Sequence, residues 1–183
     1  MYKIAVFVGS LRRDSINRKL AKALAVLGKD TFSFHFVELS DVPMYNEDLW
    51  QDPPASVLRL KSDIAAADAV LFVTPEYNRS LPAVIKNALD WGTRPWGQNS
   101  WAGKPAAIAG TALGAIGTAV AQAQFRSIAA TIGLKLMGQP EVYLTFKPEL
   151  IDGENKFTDA STRAFLEKYL TAFEDWVKNH GAR

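Results

Sequence analysis

The stretch at residues 2–10 reads YKIAVFVGS, a short apolar run rich in isoleucine, valine and phenylalanine that ends in glycine and serine. A run of this kind, stopped by turn residues, is typical of a strand that is buried on both faces of a sheet. A helix is predicted next, which Ser15 or Asn17 can cap and which stops at Gly28. The opening residues therefore predict the first strand and helix of an α/β sheet.

The same alternation continues to the end of the chain. Apolar, β-rich runs predict further strands at 32–39, 69–73, 106–110 and 141–146, and helices at 55–67, 81–89, 115–132 and from 158 or 159 onward. This pattern predicts an α/β fold of the flavodoxin-like type, a three-layer sandwich around a five-stranded parallel sheet in the order 2-1-3-4-5. No repeat or linker interrupts it, so we expect residues 1–183 to form one domain.

Composition excludes several classes of function. The chain has no cysteine and only two histidines, far apart in sequence, so no disulfide, thiolate metal site or histidine metal site is expected. A net charge of +2 gives no reason to expect a nucleic-acid partner. Residues 105–125 carry no charge, but glycine, alanine, threonine and glutamine dominate them, which favours a strand, turn and helix over a membrane span. With no signal peptide at the start, we expect a cytoplasmic protein.

The loop that follows the first strand, residues 9–18 (the first loop), is a candidate phosphate site. It leads into the start of a helix, where free N–H groups and the helix dipole favour an anion. Arginine and lysine crowd residues 12–19, although cations are normally disfavoured there, and a bound phosphate would explain them. The alternative is a solvated turn with a serine cap. The loop is neither a nucleotide P-loop nor a G-x-G-x-x-G motif.

Two further loops follow neighbouring strands, and we expect all three to meet at one crevice. In the second loop, residues 74–80, Tyr77 and Asn78 suit a planar heteroaromatic ligand, although an ordinary turn with locally packed tyrosine is equally consistent. In the third loop, residues 110–117, small residues would permit either a closely bound ligand or tight packing of strand on helix.

Three tryptophans, Trp91, Trp96 and Trp101, are spaced through a loop rich in glycine, proline and asparagine. They either cap the core or form a subunit contact, where tryptophan is enriched. We favour the contact.

In combination, these segments resemble the NAD(P)H-dependent FMN reductases, and within them the chromate/quinone reductase (azoreductase-like) branch. The resemblance extends from about residue 3 to 176 and rests on motifs in a fixed order: GSLR at 9–12 with Ser15 and Asn17, MYNEDL at 44–49, PEYN at 75–78, KNALDW at 86–91 and GKP at 103–105. The order of all the motifs is specific, whereas any single one would be weak.

The resemblance implies a flavodoxin-like fold with non-covalent FMN, and a homodimer or homotetramer to which the region 81–101 contributes. The residues that would hold the FMN phosphate and ribityl chain are Ser10, Arg12, Ser15, Ile16 and Asn17. Those that would hold the isoalloxazine ring are Pro75, Glu76, Tyr77 and Asn78. Thr111 stands where the family commonly has serine, but the Ala112-Leu113 pair that follows departs from the usual pattern.

The function that follows is an FMN-dependent NAD(P)H oxidoreductase. A nicotinamide donor would reduce the flavin, and a quinone or a similar acceptor (chromate, an azo compound or free flavin) would take the electrons. The flavin carries this chemistry, so no catalytic side chain is predicted. Arg12 could bind either the FMN phosphate or the 2′-phosphate of NADPH.

Two alternatives belong to other classes. A flavodoxin-type electron carrier is typically acidic, which this chain is not, and a receiver-type regulatory module would need an acidic cluster that the strand ends lack.

Overall fold

The computed structural model describes residues 1–181, in which helices cover both faces of a parallel sheet. The strands are β1 (Tyr2–Val8), β2 (Phe32–Phe36), β3 (Ala69–Val73), β4 (Pro105–Ala112), β5 (Lys135–Leu136) and β6 (Val142–Thr145). They are hydrogen-bonded in the order β2-β1-β3-β4-β5, and β6 also pairs with β4. The predicted flavodoxin-like order is confirmed.

Five α-helices flank the sheet: α1 (Ile16–Leu27), α2 (Ala55–Ala66), α3 (Ala83–Gly92), α4 (Ala119–Thr131) and α5 (Ala160–His180). Short 3₁₀ helices lie at Glu47–Gln51 and Pro148–Leu150. Side chains of β1 alternate between two cores, because successive residues of a strand point to opposite faces. Ile4 and Val6 pack with α1 and α5, whereas Ala5 and Phe7 pack with α2, α3 and α4.

The fifth sheet position differs from the prediction. Both β5 and β6 pair in parallel with β4, β5 at Pro105 and Ala106, and β6 from Ala109 onward. The predicted strand at 141–146 corresponds to β6. Glycine and proline at 138 and 140 interrupt the strand between the two segments, since neither residue favours the interior of a strand.

Helix α4 begins later than predicted, at Ala119 rather than at residue 115. Gly117 has a φ of 61°, and its N–H donates to the carbonyl of Gly114, so residues 114–117 form a turn. The left-handed backbone at glycine therefore keeps the end of the third loop out of the helix.

The tryptophan prediction is wrong for two of the three residues. Trp91 and Trp101 are fully buried within the chain, and the Trp101 ring lies 5.3 Å from that of Phe7, centroid to centroid. Both side chains belong to the core and cannot contact another subunit. Trp96 is 87% exposed, so a subunit contact remains a prediction for it alone.

Among residues 1–181, no helix is both long enough and apolar enough to cross a membrane.

Candidate functional site

The three loops meet at one edge of the sheet because β1, β3 and β4 are neighbours. Backbone hydrogen bonds continue past the strand ends, from the Gly9 N–H to the Val73 carbonyl at 2.9 Å and from the Thr74 N–H to the Ala109 carbonyl at 3.0 Å. The first, second and third loops are therefore fastened to one another at their bases. This is the edge at which open α/β sheets bind ligands.

The amino end of α1 carries N–H groups that no part of the described chain satisfies. Ser15 caps the helix, and its Oγ accepts the Arg18 N–H at 3.1 Å. The first helical turn has no acidic residue, and within residues 1–181 the N–H groups of Ile16 and Asn17 have no hydrogen-bond acceptor. Two N–H groups without acceptors at the positive end of the helix dipole favour an anion at this position.

Ser10 connects the first loop to the second. Its side chain is buried, and its Oγ accepts the Arg12 N–H at 3.4 Å and lies 3.5 Å from the Tyr77 hydroxyl. The Tyr77 side chain is still 48% exposed, so its ring can contact a ligand. Arg12 and Arg13 are exposed beside this contact and leave the approach to the α1 amino end positively charged.

Asn17 and Thr111 bind each other rather than facing solvent. The Asn17 Nδ2 donates to the Thr111 carbonyl at 2.9 Å, and its Oδ1 accepts the Thr111 N–H at 3.0 Å. The Thr111 hydroxyl donates to the Leu144 carbonyl at 3.0 Å. Asn17 and Thr111 are each 1% exposed. These predicted site side chains hold the start of α1 against the end of β4.

The second loop contains a strained turn. The backbones of Tyr77 and Ser80 exchange two hydrogen bonds, of 3.1 and 3.0 Å. Between them, Asn78 and Arg79 both have positive φ angles, of 50° and 63°. Residues other than glycine rarely adopt this backbone conformation, and it persists only where the surroundings enforce it. Pro75, two residues before Tyr77, is buried.

The Glu76 carboxylate helps to hold the strained turn in place, because it caps α4 and also binds Arg79. Its Oε2 accepts the N–H groups of Val120 and Ala121, at 3.0 and 3.1 Å, and its Oε1 accepts from Arg79 Nη1 at 3.0 Å. The side chain is only 7% exposed. A carboxylate at this end of α4 satisfies the N–H groups and the dipole, so the end is closed to a second anion.

Gln124, one turn further along α4, completes the attachment of the second loop. Its Nε2 donates to the Arg79 carbonyl at 3.0 Å, and its Oε1 accepts from Ser80 Oγ at 2.7 Å. No local pattern predicts this role, because Gln124 lies 44 residues from Ser80 in the chain. Helix α4 thus holds both sides of the strained turn.

A cleft of about 570 Å³ lies between the second and third loops. Its lining residues are Glu76, Asn78, Arg79, Ala112, Gly114, Ala115, Ile116 and Gly117. Apart from the glutamate and arginine, these are uncharged and mostly small, which leaves room for a flat ring. Within residues 1–181, no group of three histidine or acidic side chains could hold a metal ion.

The chain matches the family model of NADPH-dependent FMN reductases over residues 2–149. It is 49% identical to a 2-hydroxy-1,4-benzoquinone reductase from Burkholderia sp over 177 residues, 97% of either chain. A quinone reductase from Pseudomonas putida is 44% identical, over 97% of this chain and 96% of that protein. The solved structure of FerB, a flavoenzyme NAD(P)H:(acceptor) oxidoreductase from Paracoccus denitrificans, has a TM-score of 0.97 and 49% identity, with both chains covered fully.

Proposed function

This chain belongs to the NADPH-dependent FMN reductase family, and from that premise we propose how it binds FMN and which acceptors it reduces. It is an FMN-dependent oxidoreductase that takes electrons from NAD(P)H and passes them to quinones. We further propose that residues 1–183 form a single FMN-binding domain that acts in the cytoplasm. The observation that carries the binding mode is the open amino end of α1, next to the cleft that the second loop lines.

The residues present fit a flavin phosphate at α1. The free N–H groups of Ile16 and Asn17 supply two donors, and Ser15 at the same helix end and Ser10 in the same loop provide hydroxyl groups. The exposed guanidinium of Arg12 adds a counter-charge. The closed end of α4 supports the same orientation, because a phosphate there would meet the Glu76 carboxylate.

The ring would lie in the cleft, against the second loop. Tyr77 offers an exposed aromatic face, and Asn78 lines the cleft directly. In this proposal Glu76, Asn17 and Thr111 do not touch the ring through their side chains. They position the loops that do, since each of the three has its polar side-chain atoms hydrogen-bonded within the protein.

Bound FMN supplies the two-electron chemistry that links a nicotinamide donor to a quinone acceptor. The chain holds the ring in place and leaves one face open to the two substrates in turn. Backbone N–H groups of the second loop would stabilise a more electron-rich ring, as fixed donors stabilise developing charge in other enzymes. Protons for the acceptor would come from water at the open mouth of the cleft.

Spectroscopy tests this function against the electron-carrier alternative. The purified protein is expected to show the visible absorption of bound flavin, to lose it on anaerobic addition of NADPH, and to recover it when 1,4-benzoquinone is added. Turnover of NADPH with the quinone should depend on FMN content. Flavin that NADPH does not bleach would contradict the proposal and favour a carrier.

We also propose a homodimer or homotetramer in which the loop after α3 contributes to the contact. Trp96 is 87% exposed there, although the loop itself is held firmly. The Lys61 Nζ donates to the carbonyls of Arg94 and Gln98, at 2.6 and 2.8 Å, and burial lowers the pKa of this lysine. A large apolar side chain on a fixed loop suits a subunit interface.

The variant Trp96→Asp is expected to lower the oligomeric state in light scattering after size exclusion, because it places a charge in the proposed contact. Val26→Asp, on α1 at the opposite face of the sheet, is the matched control and should leave the mass unchanged. An unaltered mass for Trp96→Asp would remove this loop from the interface.

A further inference from the structure

We propose that Arg79 selects acceptors that carry a negative charge, and this inference rests on the proposed function. Among the described residues that line the cleft, Glu76 and Arg79 are the charged ones. Their exposure differs, since the Glu76 side chain is 7% exposed and that of Arg79 is 65% exposed. The charge that the cleft offers to a substrate is therefore positive.

The Arg79 side chain is held in place rather than freely mobile. Its Nη1 donates to Glu76 at 3.0 Å, and the backbone carbonyl of the same residue accepts from Gln124 Nε2 at 3.0 Å. The carboxylate that it contacts also accepts two N–H groups of α4, so the negative charge is shared with the helix end. A guanidinium has five N–H donors in a fixed plane, and those not bound to Glu76 remain for a ligand.

Its position favours the acceptor over the donor. Arg79 directly follows Tyr77 and Asn78, which would hold the flavin ring, whereas the phosphates of a nicotinamide donor are separated from its reacting ring by a ribose. Arg12 and Arg13 are exposed on the first loop and suit those phosphates better. The partner of Arg79 is thus an ionised oxygen on the quinone itself. A 2-hydroxyquinone, a vinylogous carboxylic acid that is ionised at neutral pH, has this chemistry.

The test compares 2-hydroxy-1,4-benzoquinone with its neutral analogue 2-methoxy-1,4-benzoquinone at saturating NADPH. Arg79→Gln is expected to raise KM for the hydroxyquinone about tenfold, the effect of one lost charge-assisted hydrogen bond, with kcat little changed. KM for the methoxyquinone should stay within about twofold. Arg79→Lys should restore part of the preference, because it keeps the charge but not the planar fork.

Arg163→Gln is the matched control. Arg163 lies on α5, is 61% exposed and bonds Glu167 at 2.9 Å. It therefore resembles Arg79 in exposure and in its ion pair, but it does not line the cleft. Equal KM increases for both quinones, no increase for either, or an increase for NADPH alone would overturn the role of Arg79. Failure of the wild-type protein to reduce either quinone with NADPH would instead contradict the proposed function.

Discussion

Ser15→Asp is expected to weaken FMN binding at least about 100-fold, which corresponds to about 2.7 kcal/mol. Aspartate caps helices as well as serine, so the Oγ bond to the Arg18 N–H has an equivalent. The new carboxylate, however, would occupy the amino end of α1 and repel the flavin phosphate across a short distance. Fluorescence titration with FMN would measure the dissociation constant.

Ser15→Asn provides the control, since asparagine is an equally good cap without charge. We expect it to bind FMN within about tenfold of the wild type, and both variants to unfold within about 0.5 kcal/mol of it in the absence of flavin. Similar FMN affinities for Ser15→Asp and Ser15→Asn would show that no phosphate lies at this helix end.

Gly110→Ala is expected to lower the free energy of unfolding by about 2–3 kcal/mol, because the site is closely packed. An added Cβ would lie 2.4 Å from the Thr74 carbonyl oxygen and 2.2 Å from Thr118 Oγ1. The first is a backbone atom at the end of β3, so the second and third loops would have to move apart. FMN binding should weaken together with stability.

Gly114→Ala is the matched control for urea denaturation. It lies in the same loop, but an added Cβ would meet no heavy atom within 4 Å. We expect its free energy of unfolding to stay within about 0.5 kcal/mol of the wild type. A Gly110→Ala protein as stable as the control would mean that the loops tolerate separation, and that their spacing is not fixed.

The sheet could be predicted from sequence because its signals are local. The run at β1 is apolar throughout and ends in glycine, and Ser15 and Gly28 mark the two ends of α1, as observed. The exception is the fifth position, where β5 has only two residues and too short a pattern to recognise.

The meeting of the three loops at one edge of the sheet was predictable, but the direction of their side chains was not. Residues of the PEYN motif lie at the cleft as the topology requires, yet the Glu76 carboxylate turns to the end of α4, 44 residues away in sequence. The burial of Trp101 likewise depends on distant partners in β1 and β3, Phe7 and Phe72. Long-range contacts of this kind leave no periodic pattern in the chain.

A crystal structure of the protein with FMN would test the central claim most directly. The account predicts the phosphate within hydrogen-bond distance of the Ile16 and Asn17 N–H groups, and the ring in the cleft against Tyr77 and Asn78. A phosphate bound elsewhere, with the amino end of α1 open to water and the ring outside the cleft, would contradict it.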